Sequence, residues 1–187
     1  VAYPSPPAVV FMDEVDSVLS RRKESGEHEA SRRMKTEFLV QIDGVNSSQS
    51  DPSCNVLVIA CTNLPWELDD AALRRFARRI YVPLPDEAAR RDIIQKLLSS
   101  NANSLSSHDT SALVRSTADY SASDLTNLCK EAAYGPLRQL SMRSLRNIDR
   151  ANLPPISLKH FQQALTTCTP SVSKELLAKY EAWEKTA

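Results

Sequence analysis

Ala8-Val9-Val10-Phe11-Met12-Asp13-Glu14-Val15-Asp16-Ser17 is the stretch that decides the fold of this chain. Five apolar residues with no polar alternation suit a strand buried on both faces of a parallel sheet, and the run breaks off at two adjacent acids. Outward from it, Asn55 to Cys61 reads NVLVIAC, repeats the pattern and ends in Thr62-Asn63. A third, shorter run, Ile80-Tyr81-Val82, stops at Pro83. Between the first two lies a helical pattern from about Glu29 to Ile42, with Met34, Phe38 and Ile42 spaced four apart on one face. Strand, helix and strand make a βαβ unit, hence a right-handed crossover in a parallel sheet.

The 187 residues hold 23 Lys+Arg and 23 Asp+Glu, a net charge of zero and a pI near 7.0, which exclude a strongly basic nucleic-acid wrapper and an acidic tail protein. No direct nucleic-acid binding is expected. Apolar residues at 42% and charged residues at 25% match globular usage, so a packed core is affordable and disorder throughout is excluded. No run approaches the roughly 18 apolar residues needed to span a bilayer, and Val1 to Pro7 lacks a basic n-region. A soluble intracellular protein, not a secreted one, is expected. The apolar run Ala8 to Met12 begins almost at once after Val1, as though the chain opens inside a fold, so it reads as part of a longer protein. Cys54, Cys61, Cys129 and Cys168 form no CxxC pair and sit among apolar neighbours, the pattern of buried thiols in a reducing compartment. His28, His108 and His160 lack a second His or Cys at metal-ligand spacing, so no metal site is expected on them.

After Pro85 no further β-branched run appears and helix signals follow one another. One helix runs from about Glu87 to Leu98, with Ile93, Ile94, Leu97 and Leu98 on one stripe. Ser106-x-x-Asp109 and Ser121-x-x-Asp124 read as capping boxes, opening helices that carry Leu113 and then Leu125, Leu128 and Ala132. Gly135-Pro136 interrupts or kinks the second of these. Ser157 caps a helix carrying Phe161 and Leu165, and a last helix places Leu176, Tyr180 and Trp183 as core anchors. Asn46 to Ser53 and Arg143 to Pro155 read as loops. A boundary near Pro83 to Asp86 divides an α/β part, residues 1–85, from an all-helical part, residues 86–187.

In open α/β sheets ligands bind beyond the carboxyl ends of the strands, where Asp13-Glu14 and Thr62-Asn63 both fall. An aspartate there can hold Mg²⁺ through water, and an adjacent glutamate can orient the water that attacks a γ-phosphate; acids that merely start a helix give the same local pattern. Asn63 sharpens the first reading, because its amide could touch the γ-phosphate or the attacking water. Leu68 to Arg79, LDDAALRRFARR, places Asp69 and Asp70 at the start of a helix and Arg74, Arg75, Arg78 and Arg79 near its end. These charges either complement the helix dipole or include arginine fingers reaching a phosphate, that of a neighbouring subunit included.

These residues carry a family resemblance. Val9 to Ser17 resembles the Walker B segment of AAA ATPases, and Gly26 to Leu39 resembles the segment after it in the spastin, fidgetin and katanin group. Thr62-Asn63-Leu64-Pro65-Trp66 resembles sensor 1, Leu73-Arg74-Arg75-Phe76 the arginine-finger motif, and Ile80 to Pro85 the segment that follows it. Tyr120 to Leu125 resembles sensor 2, Gly135 to Arg138 the helix after it, and Ser171 to Trp183 the closing helix of the group. The resemblance implies the C-terminal part of an AAA P-loop NTPase parallel sheet followed by a small all-helical lid domain, an α/β fold. By it Asp13 is the Mg²⁺-linked acid, Glu14 the catalytic acid, Asn63 the sensor 1 residue, and Arg74 and Arg75 the fingers acting on the adjacent protomer of a homo-hexamer. Ala122 and Ser123 then face the nucleotide. Glu27, His28, Glu29, Arg32 and Arg33 fall in the second pore loop, which meets the substrate polypeptide; a solvated charged surface is the plainer reading of the same stretch. The implied cofactors are ATP and Mg²⁺, the implied activity microtubule severing with tubulin as partner, and the implied location the cytoplasm, with its cytoskeleton, or the nucleus.

The same family needs a Walker A loop. The three glycines, Gly26, Gly44 and Gly135, precede Glu27, Val45 and Pro136, so G-x-x-x-x-G-K-[ST] is absent and this chain alone is expected to bind ATP weakly and to be inactive. In the family the strand before Walker A lies between the sensor 1 strand and the one after the fingers, so without it those two edges are left unpaired and the isolated 187 residues are expected to be poorly stable. Ala122 replaces a glycine common in relatives, which weakens nucleotide contact if the site needs a positive φ; Cys61 replaces an alanine, a small apolar swap. Two other readings stand beside severing. A Vps4-like remodeller of membrane-scission filaments carries an insertion for which Met142 to Pro155 has no room. A non-catalytic ring subunit or interaction module would dock through the helical part.

Overall fold

In the computed structural model, which describes residues 8–21, 29–47, 56–140 and 153–185, β1 (Ala8–Met12) and β2 (Val56–Ala60) pair in parallel. Ala8 lies opposite Val56 and Met12 opposite Ala60, so both strands end at the same edge. Parallel neighbours need a crossover, and α2 (Glu29–Ser47) supplies it, extending beyond the Ile42 expected from the periodicity. Residues 48–53 of the expected loop lie outside the described residues. Chain contacts divide the protein into two compact units, Val1–Ile80 with Trp183–Ala187, and Tyr81–Ala182.

In the first unit, α1 (Asp16–Leu19) follows β1 directly. Leu19 and Ala72 are wholly buried, and Val15 and Leu68 nearly so, with Phe38, Leu39, Ala60 and Phe76 packed on them. Ser20 bridges Leu68, and the Asp69 amide donates to the Leu19 carbonyl at 2.9 Å, which pins the end of α1 to the segment before α3 (Asp70–Leu73). Three sequence expectations change here. The strands are not buried on both faces: Val9 is 65% exposed and Phe11 63%, because no third strand or covering layer among the described residues lies on them. Ile80-Tyr81-Val82 is not a strand; with no partner ladder its backbone stays irregular, and Ile80 and Val82 are more than 80% exposed. The helix read over Leu68 to Arg79 is a single turn, capped by the Asp69 carboxylate on the Ala71 amide at 2.8 Å and unwound from Arg74 onward.

The second unit is helical: α4 (Glu87–Leu98), α5 (Ser107–Ser116), α6 (Ala122–Arg138), α7 (Leu158–Leu165) and most of α8 (Lys174–Glu184). Each start has a sequence cause. Asp86 accepts from the Ala89 amide at 2.7 Å, and Ser106 with Asp109 and Ser121 with Asp124 form reciprocal capping boxes. At α7 the box closes with His160 in place of Glu: its Nδ1 accepts from the Ser157 amide at 3.0 Å. The caps aim Ile94, Leu113, Val114, Leu125, Leu128 and Phe161 into one core, each at most 1% exposed. Full burial of such a side chain contributes about 1.5–3 kcal/mol. Buried Arg90 donates to the Pro85 and Val114 carbonyls, tying the chain before α4 to the end of α5.

Gly135-Pro136 does not break α6, which continues to Arg138. Gly135 faces the His160 ring so closely that a Cβ there would lie 2.7 Å from its Cγ and Cδ2. Leu176, Tyr180 and Trp183 are half-buried rather than core anchors, since α8 has no fully buried residue; Tyr180 stacks on Tyr81 with ring centroids 6.0 Å apart. Cys129 is buried and Cys168 partly so, but Cys61 is exposed where β2 gives way to a loop, and Cys54 lies outside the described residues. The span 141–152 of the second expected loop is likewise outside them. No helix among the described residues is long and apolar enough to cross a membrane.

Candidate functional site

The common edge of β1 and β2 brings the two acid and amide pairs together. The Cys61 amide donates to the Met12 carbonyl at 2.8 Å and the Val15 amide to the Cys61 carbonyl at 3.0 Å, so the sheet ladder continues into the loops. Asp13 and Glu14 thus stand beside Thr62 and Asn63 at the carboxyl ends of adjacent strands, all but Thr62 exposed. The Asp13 carboxylate accepts from the Glu14 amide at 2.9 Å. Glu14 is the one non-glycine residue at positive φ, 51°, among the described residues. A left-handed glutamate carries backbone strain that persists only where its surroundings fix it, and such strain clusters at functional sites.

What fixes this turn is a pair of residues that sequence reading did not assign a role. The Thr62 hydroxyl donates to Asp16 at 2.5 Å and accepts from the Leu64 amide at 3.0 Å. One hydroxyl therefore ties the start of α1, just beyond the loop after β1, to the loop after β2 and holds the backbone on both sides of Asn63. Asp16 was present in the quoted stretch; its spacing of 46 residues from Thr62 gave no local signal. Lys35 behaves similarly, its buried ammonium donating to the Ser20 carbonyl at 2.7 Å.

The two arginines differ. Arg75 forks onto Asp43 of α2, Nε to Oδ1 at 2.8 Å and Nη2 to Oδ2 at 2.6 Å, and also donates to the Ala71 carbonyl at 2.9 Å. Bidentate pairing of this kind fixes a guanidinium geometrically. Arg74, the C-cap of α3, is exposed. Of the expected second pore loop, Glu29, Arg32 and Arg33 form the first turns of α2, with Glu29 and Arg33 paired at 2.6 Å; Glu27 and His28 lie outside the described residues. In the second unit Ala122 and Ser123 are the exposed opening residues of α6. Ala122 sits in ordinary helical backbone, so alanine costs nothing in φ there.

No cluster of three metal-ligating residues occurs among the described residues. The single exposed carboxylate of Asp13 suits Mg²⁺, which keeps most of its waters and takes one or two carboxylates plus phosphate oxygens. A groove of about 780 Å³ in the helical unit, lined in part by Lys130, Tyr134, Leu137 and Pro154, contains none of the residues expected to touch nucleotide, metal or substrate polypeptide.

Comparison with known proteins agrees with this geometry. Residues 2–84 match the ATPase family associated with various cellular activities (AAA), residues 107–154 the AAA+ lid domain, and residues 138–187 the Vps4 C terminal oligomerisation domain. The chain is 50% identical over 179 residues to spastin of Naegleria gruberi, covering 96% of this chain and 34% of that protein. It is 46% identical over 180 residues to fidgetin-like protein 1 of Xenopus laevis, covering 96% and 27%. It thus spans about a third or less of these curated relatives. A crystal structure of the FIGL-1 AAA domain in complex with ADP superposes with a TM-score of 0.85 at 39% identity, covering 97% of this chain and 58% of that one. A structure described as the basis for katanin self-assembly gives 0.74 at 36% identity, covering 95% and 58%. By its large-domain, lid and C-terminal matches, and by the parallel sheet and helical lid of its structure, the chain belongs to the AAA ATPase family, among relatives of the spastin, fidgetin and katanin type.

Proposed function

We propose that this chain is the part carrying Walker B, sensor 1, the arginine fingers and the lid of an ATP-hydrolysing AAA protein that assembles as a homo-hexamer and remodels protein assemblies, microtubules first among them. The observation that carries the reading is the joined pair of loops at the ends of β1 and β2, with Glu14 held in left-handed backbone beside the Thr62–Asp16 tie. There Asp13 would hold Mg²⁺ through water, and the bound ion would supply neutralisation of charge at the phosphate oxygens. The Glu14 carboxylate orients the attacking water and accepts its proton, and the Asn63 amide fixes the far side of that water or the γ-phosphate. Arg74 reaches the nucleotide of the adjacent protomer, while Arg75, forked onto Asp43, sets the turn from which Arg74 projects. Ala122 and Ser123 line the nucleotide from the lid.

The match of residues 138–187 to an oligomerisation-domain model supports assembly. The relatives named above support severing, and the exposed Arg32 has the sign for the acidic tails of tubulin. A cytoskeletal or nuclear site of action accompanies this reading. The test is ATP hydrolysis, with and without microtubules, by the longest protein containing this chain. The reading expects stimulation by microtubules, and Glu14→Gln that keeps ATP binding but releases phosphate at least about 100-fold more slowly. Unchanged phosphate release by Glu14→Gln refutes the role of Glu14. Absence of hydrolysis in the unmodified protein favours a non-catalytic ring subunit.

A further inference from the structure

One oxygen of Asp124 gathers an unusual number of donors. At the N-terminus of α6, Oδ2 accepts from the Ser121 amide at 2.9 Å and the Ser121 hydroxyl at 2.7 Å, which is the capping box. The same oxygen accepts from the Ser171 hydroxyl at 3.1 Å and the Ser171 amide at 3.3 Å, 47 residues away. Ser171 lies two residues before Ser173, whose hydroxyl accepts from the Leu176 amide at 3.2 Å and caps α8. A second tie lies beside the first, the Tyr120 hydroxyl donating to the Cys168 carbonyl. Asp124 is 7% exposed, and all four of these bonds converge on its Oδ2. Burial pushes its pKa up, but the bonds from Ser121 and Ser171 together outweigh burial and hold it below the ordinary range.

A capping box needs only Ser121. The extra pair from Ser171 fastens the segment leading into α8, inside the match to the oligomerisation domain, to the opening turn of α6, inside the lid match. We infer that Asp124 is a positioning residue that couples the lead-in of α8 to residues 121–124, so that loosening either one loosens the other. Its nucleotide side rests on the proposed ATPase reading, in which Ala122 and Ser123 line ATP; the clasp itself does not. Removing the Ser171 hydroxyl leaves the capping box whole, and removing the Ser121 hydroxyl leaves the Ser171 contacts whole, so the two sides can be cut separately. A helix that merely has a good cap would show no such reciprocity.

The test is amide hydrogen exchange on the longest protein containing this chain, without nucleotide, which separates its outcome from that of the ATPase reading. Ser171→Ala is expected to speed exchange about three- to tenfold both at 171–177 and at 122–126, the range one net hydrogen bond sets. Ser121→Ala is expected to do the same at both places, and Ser171→Thr, which keeps the hydroxyl, to restore slow exchange. Ser173→Ala removes only the local cap and should act on α8 alone. Ser171 is exposed, so its substitution leaves the core intact. Faster exchange confined to 171–177 in Ser171→Ala, or confined to 122–126 in Ser121→Ala, overturns the coupling.

Discussion

Gly135→Ala inverts a general expectation, and its size follows from the structure. In the interior of an exposed helix this substitution stabilises by about 1 kcal/mol, because alanine loses less backbone freedom. At Gly135 the added methyl would meet His160 Cγ and Cδ2 at 2.7 Å and its Cβ at 2.8 Å. The ring cannot simply swing away, since Nδ1 accepts from the Ser157 amide at 3.0 Å and Nε2 meets the Gln139 side chain at 2.9 Å. Contact with Cβ also means that α7 itself must shift against α6. Overpacking of a close-packed core costs about 1–3 kcal/mol, and the rigidity of this neighbour puts the cost at the upper end. The net effect is a loss of about 2 kcal/mol, or a fall in Tm on the order of 10 °C for a unit of this size. Thermal unfolding followed by circular dichroism reads it. His160→Ala removes the ring and two of the three contacts, so Gly135→Ala should cost less on that background. A Gly135→Ala variant that melts above the parent, or that costs the same with and without the imidazole, refutes the argument.

Three further outcomes follow from particular contacts. Thr62→Val strips the hydroxyl from Asp16 and from the Leu64 amide, and should destabilise the loop pair by about 1–3 kcal/mol, seen as faster exchange at Leu64, with Thr62→Ser close to the parent. The Asp124 carboxyl titrates below its unfolded value, with the Tyr120 hydroxyl as its titratable neighbour, so its contribution is complete above about pH 4 and disappears as pH falls through the depressed value. The fall in Tm on acidification from pH 5 to about pH 2 should accordingly be shallower in Ser171→Ala, and an unchanged slope counts against the clasp. Burial raises the Cys129 thiol to about 11, so its stabilising share is complete below its ordinary value near 9 and is lost as pH rises through 11. At about pH 8 a thiol reagent should label exposed Cys61 well before Cys129, and equal rates would contradict the burial.

Local chemistry made much of the molecule legible. The helix starts at Asp86, Ser106, Ser121 and Ser157 were written in side chains that satisfy amides three residues away, and α4 ends where the apolar stripe ends. The juxtaposition of Asp13-Glu14 with Thr62-Asn63 was legible too, because parallel strands joined by a helical crossover place their carboxyl ends side by side. Less legible were features that depend on what lies next to a segment. Ile80-Tyr81-Val82 has the composition of a strand, but a strand exists only by pairing. LDDAALRRFARR has helix formers throughout, yet the chain leaves the helix after one turn while Arg75 is held by Asp43, 32 residues away.

By itself, then, the sequence determined most of the element types, the capping boxes and the family, because these rest on periodicity, on spacings of three or four residues, and on motifs read in order. The tertiary structure decided the left-handed turn at Glu14, the Thr62–Asp16 tie, the commitment of Arg75 to Asp43, the fit of Gly135 against His160 and the clasp at Asp124. Each joins residues 25 to 47 positions apart or depends on such a contact, and separation of that kind leaves no trace in local pattern. Hydrogen bonds and close packing are set by distance in space, and only folding makes those distances short.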